Sequence, residues 1–536
     1  MNIAEEFLLM KKFLKADVLK IYKVSLKKNC QPVNGSSFFY CTTRISLLFV
    51  FVVLCDFNGC GQKREIINSG TFSDILYLRF DKAIQDLEKT KKAEKAIPGT
   101  LYLEDYLEFI LTIFEGDRLS FERYKENSSE RLNLLNKYND PIKFEFQAEI
   151  NFHSFLLGVF HQENLFAFKK FMLAYRQVNR YIMNAENPGY ADKLKGMISI
   201  VLSAVPAEYD WIIELFGLPG DFKKGTMLIE KYRSHYKTVS PQYLESVLIL
   251  AATRFLFTRE YEKNLTDLKN LPAISFDNPL IRLIYLFSAS KAGQNTEVIR
   301  MLNNYMQKPD EYKVCYYDYI YGEALLNRLD INAGEKIISF INCTKGRTWL
   351  KAAYSKLAWK YLIAGDTASF YQYRRMVLDS GNITADIDKE ALIEFSAEVI
   401  PNVDLLKARL LFDGGYYSRA GELLLDPKIR NRLQTYNQQL EYTYRLARIY
   451  HMKNETDKAI PLYRLTLEKG LDAPFYYAAN AALQLAIIYE EKGDYPMAET
   501  YYLKVFEVTE ESYGARLRYT ARQGIKRLKT AKATQD

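Results

Sequence analysis

Histidine and glutamate are the residues of this chain whose types and spacing could support acid–base chemistry or bind a metal ion. The four histidines are His153, His161, His235 and His451. His153 and His161 lie eight residues apart, near one face of a predicted helix, with Glu149 and Glu163 in the same region. None of the histidines forms an HExxH pair or stands at metal-ligand spacing from a cysteine. We therefore interpret them as structural, and we predict no catalytic, cofactor or metal site and no enzymatic activity.

The cysteines are concentrated near the N-terminus. Four of the six lie within the first 60 residues, and only Cys315 and Cys343 lie beyond them. These two could form a disulfide in an oxidising compartment or remain buried thiols. The 27 residues between them place them on different predicted helices, which favours separate buried thiols.

The elements that would position a functional surface are indicated by a repeat of 39 residues. Ala408, Ala447 and Ala486 recur at this interval, and each is followed twelve residues later by another alanine. A fixed period of this length is typical of stacked helix pairs. Small residues let the two helices of a pair approach closely, and large residues fill the gaps beside them.

This pattern resembles the tetratricopeptide repeat family, most closely in the stretches LARIYHMKNETDKAIPLY and LAIIYEEKGDYPMAETYY. The family pattern is Leu-Ala and an aromatic residue on the first helix, Gly at the turn, then Ala and an aromatic residue on the second helix. The residues that match this pattern, and that we predict to pack between the helices, are Ala408, Ala420, Ala447, Tyr450, Ala459, Tyr463, Leu485, Ala486, Tyr489, Gly493, Ala498 and Tyr502. The middle copy has Asn454 where Gly is usual, and Asn is the next best residue for a left-handed turn.

The resemblance implies an all-α fold, a right-handed α-solenoid of TPR-like helix hairpins. We predict three regular repeats over residues 400–510 and degenerate repeats over residues 237–399. An N-terminal helical domain covers residues 61–236, and a basic capping helix with its tail covers residues 511–536. From the chain length, the solenoid holds about ten to twelve helix pairs.

An apolar segment at residues 45–55, ISLLFVFVVLC, precedes Cys60. It is too short to span a bilayer, which takes about 20 residues, but it suits a signal-peptide core of about 7 to 15 residues. A small residue directly before Cys60 resembles the bacterial lipoprotein processing site. The resemblance implies that residues 1–60 are a signal peptide and that Cys60 carries lipid. The positive region before the core, residues 1–43, is unusually long, which indicates a translation start downstream of Met1. We predict a lipid-anchored protein of the cell envelope, in the outer membrane; a buried hydrophobic helix or strand is the alternative.

Tyrosine, with 41 residues, is the main candidate for a contact surface. Tyr416 and Tyr501 belong to tyrosine doublets and point away from the repeat packing by about 100°. Trp211 belongs to an aromatic cluster between two Pro/Gly breaks, which either packs where two helices meet or forms an exposed pocket. This region resembles uncharacterised helical-repeat proteins of bacterial envelopes. Over about 40 residues it also resembles a eukaryotic tetratricopeptide family linked to lipid droplets and inclusion-body clearance, which implies a shared helical module and no activity.

The charge of the chain excludes a nucleic-acid partner. The net charge is +8, and removal of residues 1–59, with eight Lys or Arg and four Asp or Glu, lowers it to about +4. A nucleic-acid-binding domain is expected to be more basic. The C-terminal cations are Arg516, Arg518, Arg522, Lys526, Arg527, Lys529 and Lys532. We interpret them as the polar face of a capping helix, with a contact to acidic lipid headgroups or an acidic partner as the alternative.

Two functions fit these patterns. The first is a non-catalytic, lipid-anchored scaffold that binds a protein or peptide partner in the concave groove of the solenoid. The second is a glycan- or nutrient-binding envelope lipoprotein of the starch-utilisation type. The compact helical turns favour the scaffold, because the second type usually carries large irregular insertions with aromatic platforms.

Overall fold

The structure is a computed structural model that describes residues 69–92, 98–184, 191–203, 220–238, 240–272, 276–397, 399–471, 476–508 and 511–532. All regular secondary structure in these residues is helical, and besides the α-helices it includes a π-helix, Arg254–Thr258, which directly follows the α-helix Pro241–Thr253. The helices are α1 Ser69–Leu76, α2 Phe80–Lys92, α3 Pro98–Glu115, α4 Arg118–Asn136, α5 Ile142–Phe160, α6 Asn164–Asn184, α7 Asp192–Ser203, α8 Phe222–Arg233, α9 Pro241–Thr253, α10 Tyr261–Lys269, α11 Pro279–Lys291, α12 Asn295–Asn303, α13 Tyr316–Asn327, α14 Ala333–Cys343, α15 Leu350–Ile363, α16 Thr367–Asp379, α17 Asp386–Ser396, α18 Val403–Asp413, α19 Tyr417–Leu425, α20 Pro427–Arg432, α21 Tyr436–Met452, α22 Thr456–Lys469, α23 Tyr477–Glu491, α24 Tyr495–Glu507 and α25 Glu511–Lys532.

Consecutive helices pair into hairpins, so the prediction of an all-α repeat solenoid is confirmed. The described residues contain eleven hairpins: α1–α2, α3–α4, α5–α6, α7–α8, α9–α10, α11–α12, α13–α14, α15–α16, α18–α19, α21–α22 and α23–α24. Helices α17 and α20 are inserted between hairpins, and α25 follows the last one. No helix within the described residues is both long and apolar enough to cross a membrane.

One turn geometry recurs along the whole array. Ten hairpins turn through a residue with positive φ, and the turn of the remaining hairpin falls within residues 204–219, outside the described residues. The turn residues are Leu78, Gly116, Gln162, Arg259, Gly293, Leu329, Gly365, Gly415, Asn454 and Gly493. In most of them the N–H of the next residue donates to the carbonyl five residues earlier, as Asp494 does to Tyr489 at 2.9 Å. This is the Schellman end of a helix, which requires a left-handed residue at that position.

The residue after the turn often starts the second helix. The side chains of Asp117, Asp366 and Asp494 accept hydrogen bonds from backbone N–H groups at the start of their helices, at 2.8, 3.0 and 3.2 Å. Each of these aspartates satisfies a donor that the first helical turn leaves without a partner. Gly-Asp thus marks three of the ten described hairpin turns.

The packing residues of the three C-terminal hairpins occupy the interface between paired helices. All six predicted alanines are buried, as are Leu485, Tyr463 and Tyr502. Tyr450 and Tyr489 are half-buried. Gly493 has φ +76°, and Asn454 has φ +60° at the equivalent position. Asn thus adopts the turn conformation that Gly adopts in the neighbouring repeat.

The array is curved with its first helices on the inside. First helices of successive hairpins contact one another, as α18 does α21 and α21 does α23. Second helices instead contact the first helix of the next hairpin, as α22 does α23. Rows of helices that approach one another more closely form the inner wall of a solenoid.

The N-terminal hairpins also pack against the middle of the array. The N–H of Tyr312 donates to the carbonyl of Leu78 at 2.8 Å, and the side chain of Gln162 donates to that of Thr384 at 3.1 Å. Between these contacts, the turn at Gly116 lies against the loop before α15. Buried apolar residues from Phe72 to Leu410 consequently form one continuous core, which reaches into α18, and the other buried apolar residues of the three C-terminal hairpins form two smaller clusters.

The structure corrects the interpretation of the two distal cysteines. Cys315 and Cys343 form a disulfide with a Cα–Cα distance of 5.7 Å. They do lie on different elements, but Cys315 immediately precedes α13 and Cys343 ends α14, which are the two helices of one hairpin. Because antiparallel helices of similar length bring their outer ends together, the separation in sequence did not keep the two sulfur atoms apart.

Candidate partner-binding surface

The residues with potential for acid–base chemistry lie in the interior. The Nδ1 atom of His153 is 2.8 Å from a carboxylate oxygen of Asp105, and the imidazole ring stacks on Phe109 at 4.3 Å between centroids. His153 and Asp105 are both almost completely buried. Tyr124 donates to the same Asp105 carboxylate at 3.3 Å. The arrangement is a buried polar network, closed to a substrate.

The other three residues that the sequence analysis grouped with His153 each contact different partners. The imidazole of His161 stacks on Phe121, with 4.2 Å between centroids, and burial together with the charge of Arg118 lowers its pKa to about 4. Glu149 pairs with Lys193 at 3.2 Å, and Glu163 pairs with Lys125 at 3.2 Å. Among the described residues, no group of three or more His, Cys, Asp or Glu side chains is placed to hold a metal ion.

A cluster of arginines and aromatic rings lies on the first helices α15, α18 and α21 and at the start of α23. We call it the arginine–aromatic patch, and it consists of Arg409, Arg445, Arg448, Trp359, Phe412, Tyr444, Tyr476 and Tyr477. Arg409 and Arg448 occupy the same repeat position on α18 and α21, 39 residues apart. Since first helices form the inner wall of the array, the patch belongs to that wall.

Arg409 connects α18 to the helices that precede it. Its guanidinium group donates to both carboxylate oxygens of Glu394, at 2.7 and 3.3 Å, and lies 4.7 Å from the ring centre of Trp359. A bidentate ion pair fixes the plane of the guanidinium group, and the indole ring lies against the cation. The indole Nε1 of Trp359 is buried and has no hydrogen-bond partner among the described residues.

Arg445 and Arg448 extend the patch along α21. Arg445 donates to Glu441 at 2.6 Å, and Arg448 lies 5.1 Å from the ring centre of Phe412. Burial acts to lower the pKa of Arg445, but Glu441, Tyr477 and Tyr476 together outweigh it, so the pKa is raised. The side chain therefore remains a cation at any physiological pH.

The aromatic part of the patch is continuous with the arginines. Tyr444 packs on Tyr477 with 5.4 Å between ring centroids, and Tyr477 packs on Tyr476 with 4.8 Å. Tyr476 lies beside Arg409 and Arg445 and keeps 40% of its surface exposed. Trp359, Tyr444 and Tyr477 are buried, so the patch combines fixed cations with one exposed aromatic residue, Tyr476. Arginine and aromatic side chains are enriched among the residues that dominate binding energy at protein interfaces.

Two of the three residues predicted from the sequence as partner contacts, Tyr416 and Tyr501, lie outside the patch. Tyr416 is half-buried in the turn before α19, and its hydroxyl is buried without a hydrogen-bond partner among the described residues. Tyr501 is half-buried on α24, where its ring stacks on Tyr489 at 5.6 Å with an interplanar angle of 10°. Arg464 donates to the hydroxyl of Tyr489 at 2.6 Å. Trp211 lies outside the described residues.

The sequence analysis did not identify the arginines of the patch. The sequence feature that could have identified them is the recurrence of Arg at the 39-residue interval, in Arg409 and Arg448. Ordinary helix packing would place an apolar residue at these two positions. Ile487 occupies the third equivalent position. Nothing in the local sequence links these arginines to Trp359 or to Glu394, because those contacts join separate hairpins.

Comparison with known protein families agrees with this geometry. The model of the tetratricopeptide repeat matches residues 481–512, which contain most of α23 and all of α24. The chain contains a tetratricopeptide repeat. The match falls on the hairpin whose packing residues fit the family pattern throughout, and such repeats are typical of protein-interaction scaffolds. No curated protein matches the chain.

Proposed function

We propose that this tetratricopeptide-type protein is a non-catalytic scaffold that holds a segment of a partner protein against the arginine–aromatic patch. The observation that carries the proposal is the juxtaposition of Arg409 and Arg445 with Tyr476, which keeps 40% of its surface exposed, while Arg448 lies one helical turn from Arg445 on the inner wall. Arginine and aromatic side chains whose positions are already fixed lose little conformational entropy when a partner binds.

The chemistry of the patch indicates the kind of partner segment. Its arginines are balanced by Glu394 and Glu441, so the surface is polar without a large excess of positive charge. A segment with an apolar or aromatic residue beside an acidic one would contact Tyr476 while its carboxylate approaches the arginines. An extended peptide and a short helix both satisfy this requirement.

Site-specific crosslinking tests the scaffold. A photoreactive p-benzoyl-phenylalanine replaces Tyr476 in the patch or, as a matched control, Leu425, which is 53% exposed on the second helix α19. We expect a discrete crosslinked protein from Tyr476 and none from Leu425. Arg409→Gln and Arg448→Gln together should reduce that crosslink at least about tenfold, since truncation of an interface arginine commonly costs more than 1 kcal/mol. Equal crosslinking from both positions, or no effect of the arginine changes, would refute the proposal.

We also propose that the scaffold is anchored by lipid on Cys60 in the bacterial cell envelope, in the outer membrane. Residues 1–68, which include Cys60 and the apolar segment at residues 45–55, lie outside the described residues. Support comes from the disulfide between Cys315 and Cys343, because disulfides form and persist in oxidising compartments and are rare in the cytosol.

Intact mass and labelled palmitate incorporation test the anchor on protein purified from membranes of the native host. We expect a chain that begins at Cys60 and carries acyl groups. The variant Cys60→Ser should be neither processed nor labelled. An unlabelled wild-type chain that still contains residues 1–59 would refute the anchor and leave the scaffold proposal intact, because the crosslinking experiment does not depend on it.

A further inference from the structure

Helix α16 exposes two large apolar or aromatic side chains, Tyr371 and Leu378, which are 47% and 39% exposed. The other second helices in this half of the array each expose a single one. These residues are Ile338 on α14, Leu425 on α19, Leu465 on α22 and Leu503 on α24. Single exposed apolar side chains are normal on a protein surface, whereas two on one side of a helix indicate a contact surface.

Two unpaired charges lie beside these side chains. Arg375 and Asp379 are both exposed, and their spacing of four residues permits an ion pair within one helix. Neither side chain nevertheless forms an ion pair or a hydrogen bond with another described residue. The charge of Lys351 acts on Asp379 from a distance, because the amino group of Lys351 donates to the carbonyl oxygens of Val377 and Leu378 at 2.7 and 3.0 Å.

These four exposed side chains of α16 share one side of the helix. At 100° per residue they fall within roughly 100° of the helix circumference. Ile383, which is 39% exposed, lies in the loop just beyond the C-terminal end of the helix. We call Tyr371, Arg375, Leu378, Asp379 and Ile383 the α16 face.

The α16 face is symmetric in sequence about Val377. Arg375 and Asp379 lie two residues before and after Val377, and Tyr371 and Ile383 lie six residues before and after it. When two copies of one helix pack antiparallel about a two-fold axis, positions at equal distances from the axis come to lie opposite each other. Each Arg375 would then meet Asp379 of the second copy, and each Tyr371 would approach the loop that contains Ile383 of the second copy.

We propose that the α16 face binds a second copy of this chain, with the two α16 helices antiparallel about a two-fold axis near Val377. Charge complementarity selects this occupant, because the face carries both the cation and the anion that a symmetric contact pairs twice. Leu378 is one residue from the axis, so it packs against Leu378 of the second copy. The arginine–aromatic patch lies on first helices, and the dimer does not use its residues.

The size of the α16 face predicts the strength of the contact. The face is one helix long, which places the interface at the small end of specific interfaces, below about 1,200 Å². Exposed ion pairs add little to affinity, and their main effect is to fix which surfaces meet. We therefore expect a dissociation constant in the micromolar range.

Cysteine crosslinking of the full chain in membranes of the native host tests the contact. Leu378→Cys places a thiol near the proposed axis, and oxidation should join two copies by a disulfide that is seen as a dimer on non-reducing gels. Leu425→Cys, at an exposed position on α19, is the matched control and should remain monomeric, as should the parent chain. If Leu378→Cys gave no more dimer than Leu425→Cys, or a mixed disulfide with a different protein in place of the dimer, the proposal would be overturned.

Charge reversal tests the pairing itself. With Leu378→Cys present, Arg375→Asp alone or Asp379→Arg alone places like charges opposite each other and should reduce the crosslinked fraction at least about tenfold. The two reversals together restore complementarity and should return the crosslinked fraction to within about twofold of its original value. This recovery also shows that the single variants lost the contact and not the fold. Single reversals without effect, or a double reversal as weak as the single ones, would rule out the symmetric pairing.

Discussion

Gly116 and Gly346 lie backbone to backbone, although 229 residues separate them. A Cβ atom added at Gly346 would stand 2.9 Å from the carbonyl oxygen of Glu115 and 3.1 Å from the Cα of Gly116. Next to this contact, Lys345 pairs with the carboxylate of Glu115 at 2.9 Å. The turn between α3 and α4 is thereby fixed against the loop before α15, and the N-terminal hairpins become part of the central core.

This contact predicts the effect of adding a methyl group. Gly346→Ala should weaken the docking of the α3–α4 turn by about 1 to 3 kcal/mol, because a backbone atom must move to make room. Gly334→Ala is the matched control, since a Cβ there meets its nearest neighbour at an ordinary 3.5 Å. Hydrogen exchange of the amides around Gly116 should accelerate in the first variant only. Unchanged exchange in Gly346→Ala would contradict the close approach.

The disulfide should stabilise the same region. Cys315 lies in the loop that follows Tyr312, and Cys343 lies just before Lys345, so the bond joins the two loops against which the first two N-terminal turns pack. Reduction, or Cys315→Ser with Cys343→Ser, should lower the free energy of unfolding by about 2 to 4 kcal/mol. Thermal unfolding with and without reductant measures the loss. The double variant should be insensitive to reductant, and a wild-type protein that unfolds identically after full reduction would refute the prediction.

Two substitutions at the turn residues should have opposite effects on the stability of their hairpins. Asn454 and Gly493 both have positive φ, and nothing lies within 4 Å of a Cβ built at Gly493. Gly493→Ala should therefore destabilise the α23–α24 hairpin by about 1 kcal/mol through backbone strain alone. Asn454→Gly should slow local opening of α21 and α22 slightly, because Gly adopts this conformation without strain. Amide hydrogen exchange in each hairpin is the measurement, and a stabilising Gly493→Ala would contradict it.

His161 predicts a loss of stability in acid. Its folded-state pKa of about 4 lies below the ordinary value of 6.5, so the folded protein favours the neutral imidazole. That stability is fully present above pH 6.5 and is lost as the pH falls toward 4, by about 2 kcal/mol between pH 7 and pH 5. His161→Phe preserves the stacking on Phe121 and should remove this contribution, leaving the loss in acid that is due to His451, whose pKa burial likewise lowers to about 4. Urea unfolding at both pH values measures the change.

The control for the histidine prediction is His235→Gln, which alters an exposed histidine just after α8. Its pH profile should match that of the wild-type protein. If His161→Phe also retains the full loss of stability in acid, another group is responsible for it.

Part of this architecture could be predicted because it depends on the spacing of residues that are close together in the sequence. The C-terminal hairpins keep one register of alanines, so their helices and turns follow from the sequence. The Gly-Asp pair at residues 116–117 repeats the pair at residues 493–494, and this signal for an N-terminal hairpin was present but not used. Leu78, Gln162 and Arg259 adopt the same turn without a recognisable residue type, because tertiary packing offsets their strain.

Contacts between distant hairpins could not be predicted. Neither the segment around Gly116 nor the segment around Gly346 contains a repeated residue pattern that would indicate their contact. The same holds for the partners of Arg409, of which Trp359 lies on α15 and Glu394 on α17. The pairing of Cys315 with Cys343 was missed for a different reason, since the spacing was interpreted without the hairpin that brings the ends of α13 and α14 together.

The packing of the N-terminal hairpins against the middle of the array has a consequence for synthesis on the ribosome. In an ordinary solenoid each hairpin can fold as it emerges, because it needs only its neighbour. Here the turn at Gly116 must wait until Gly346 has been translated, which takes roughly 10 to 50 s at usual elongation rates. During that interval the apolar face of the first hairpins is exposed, so nascent chains of this protein should depend on a chaperone until about two thirds of the sequence has been made.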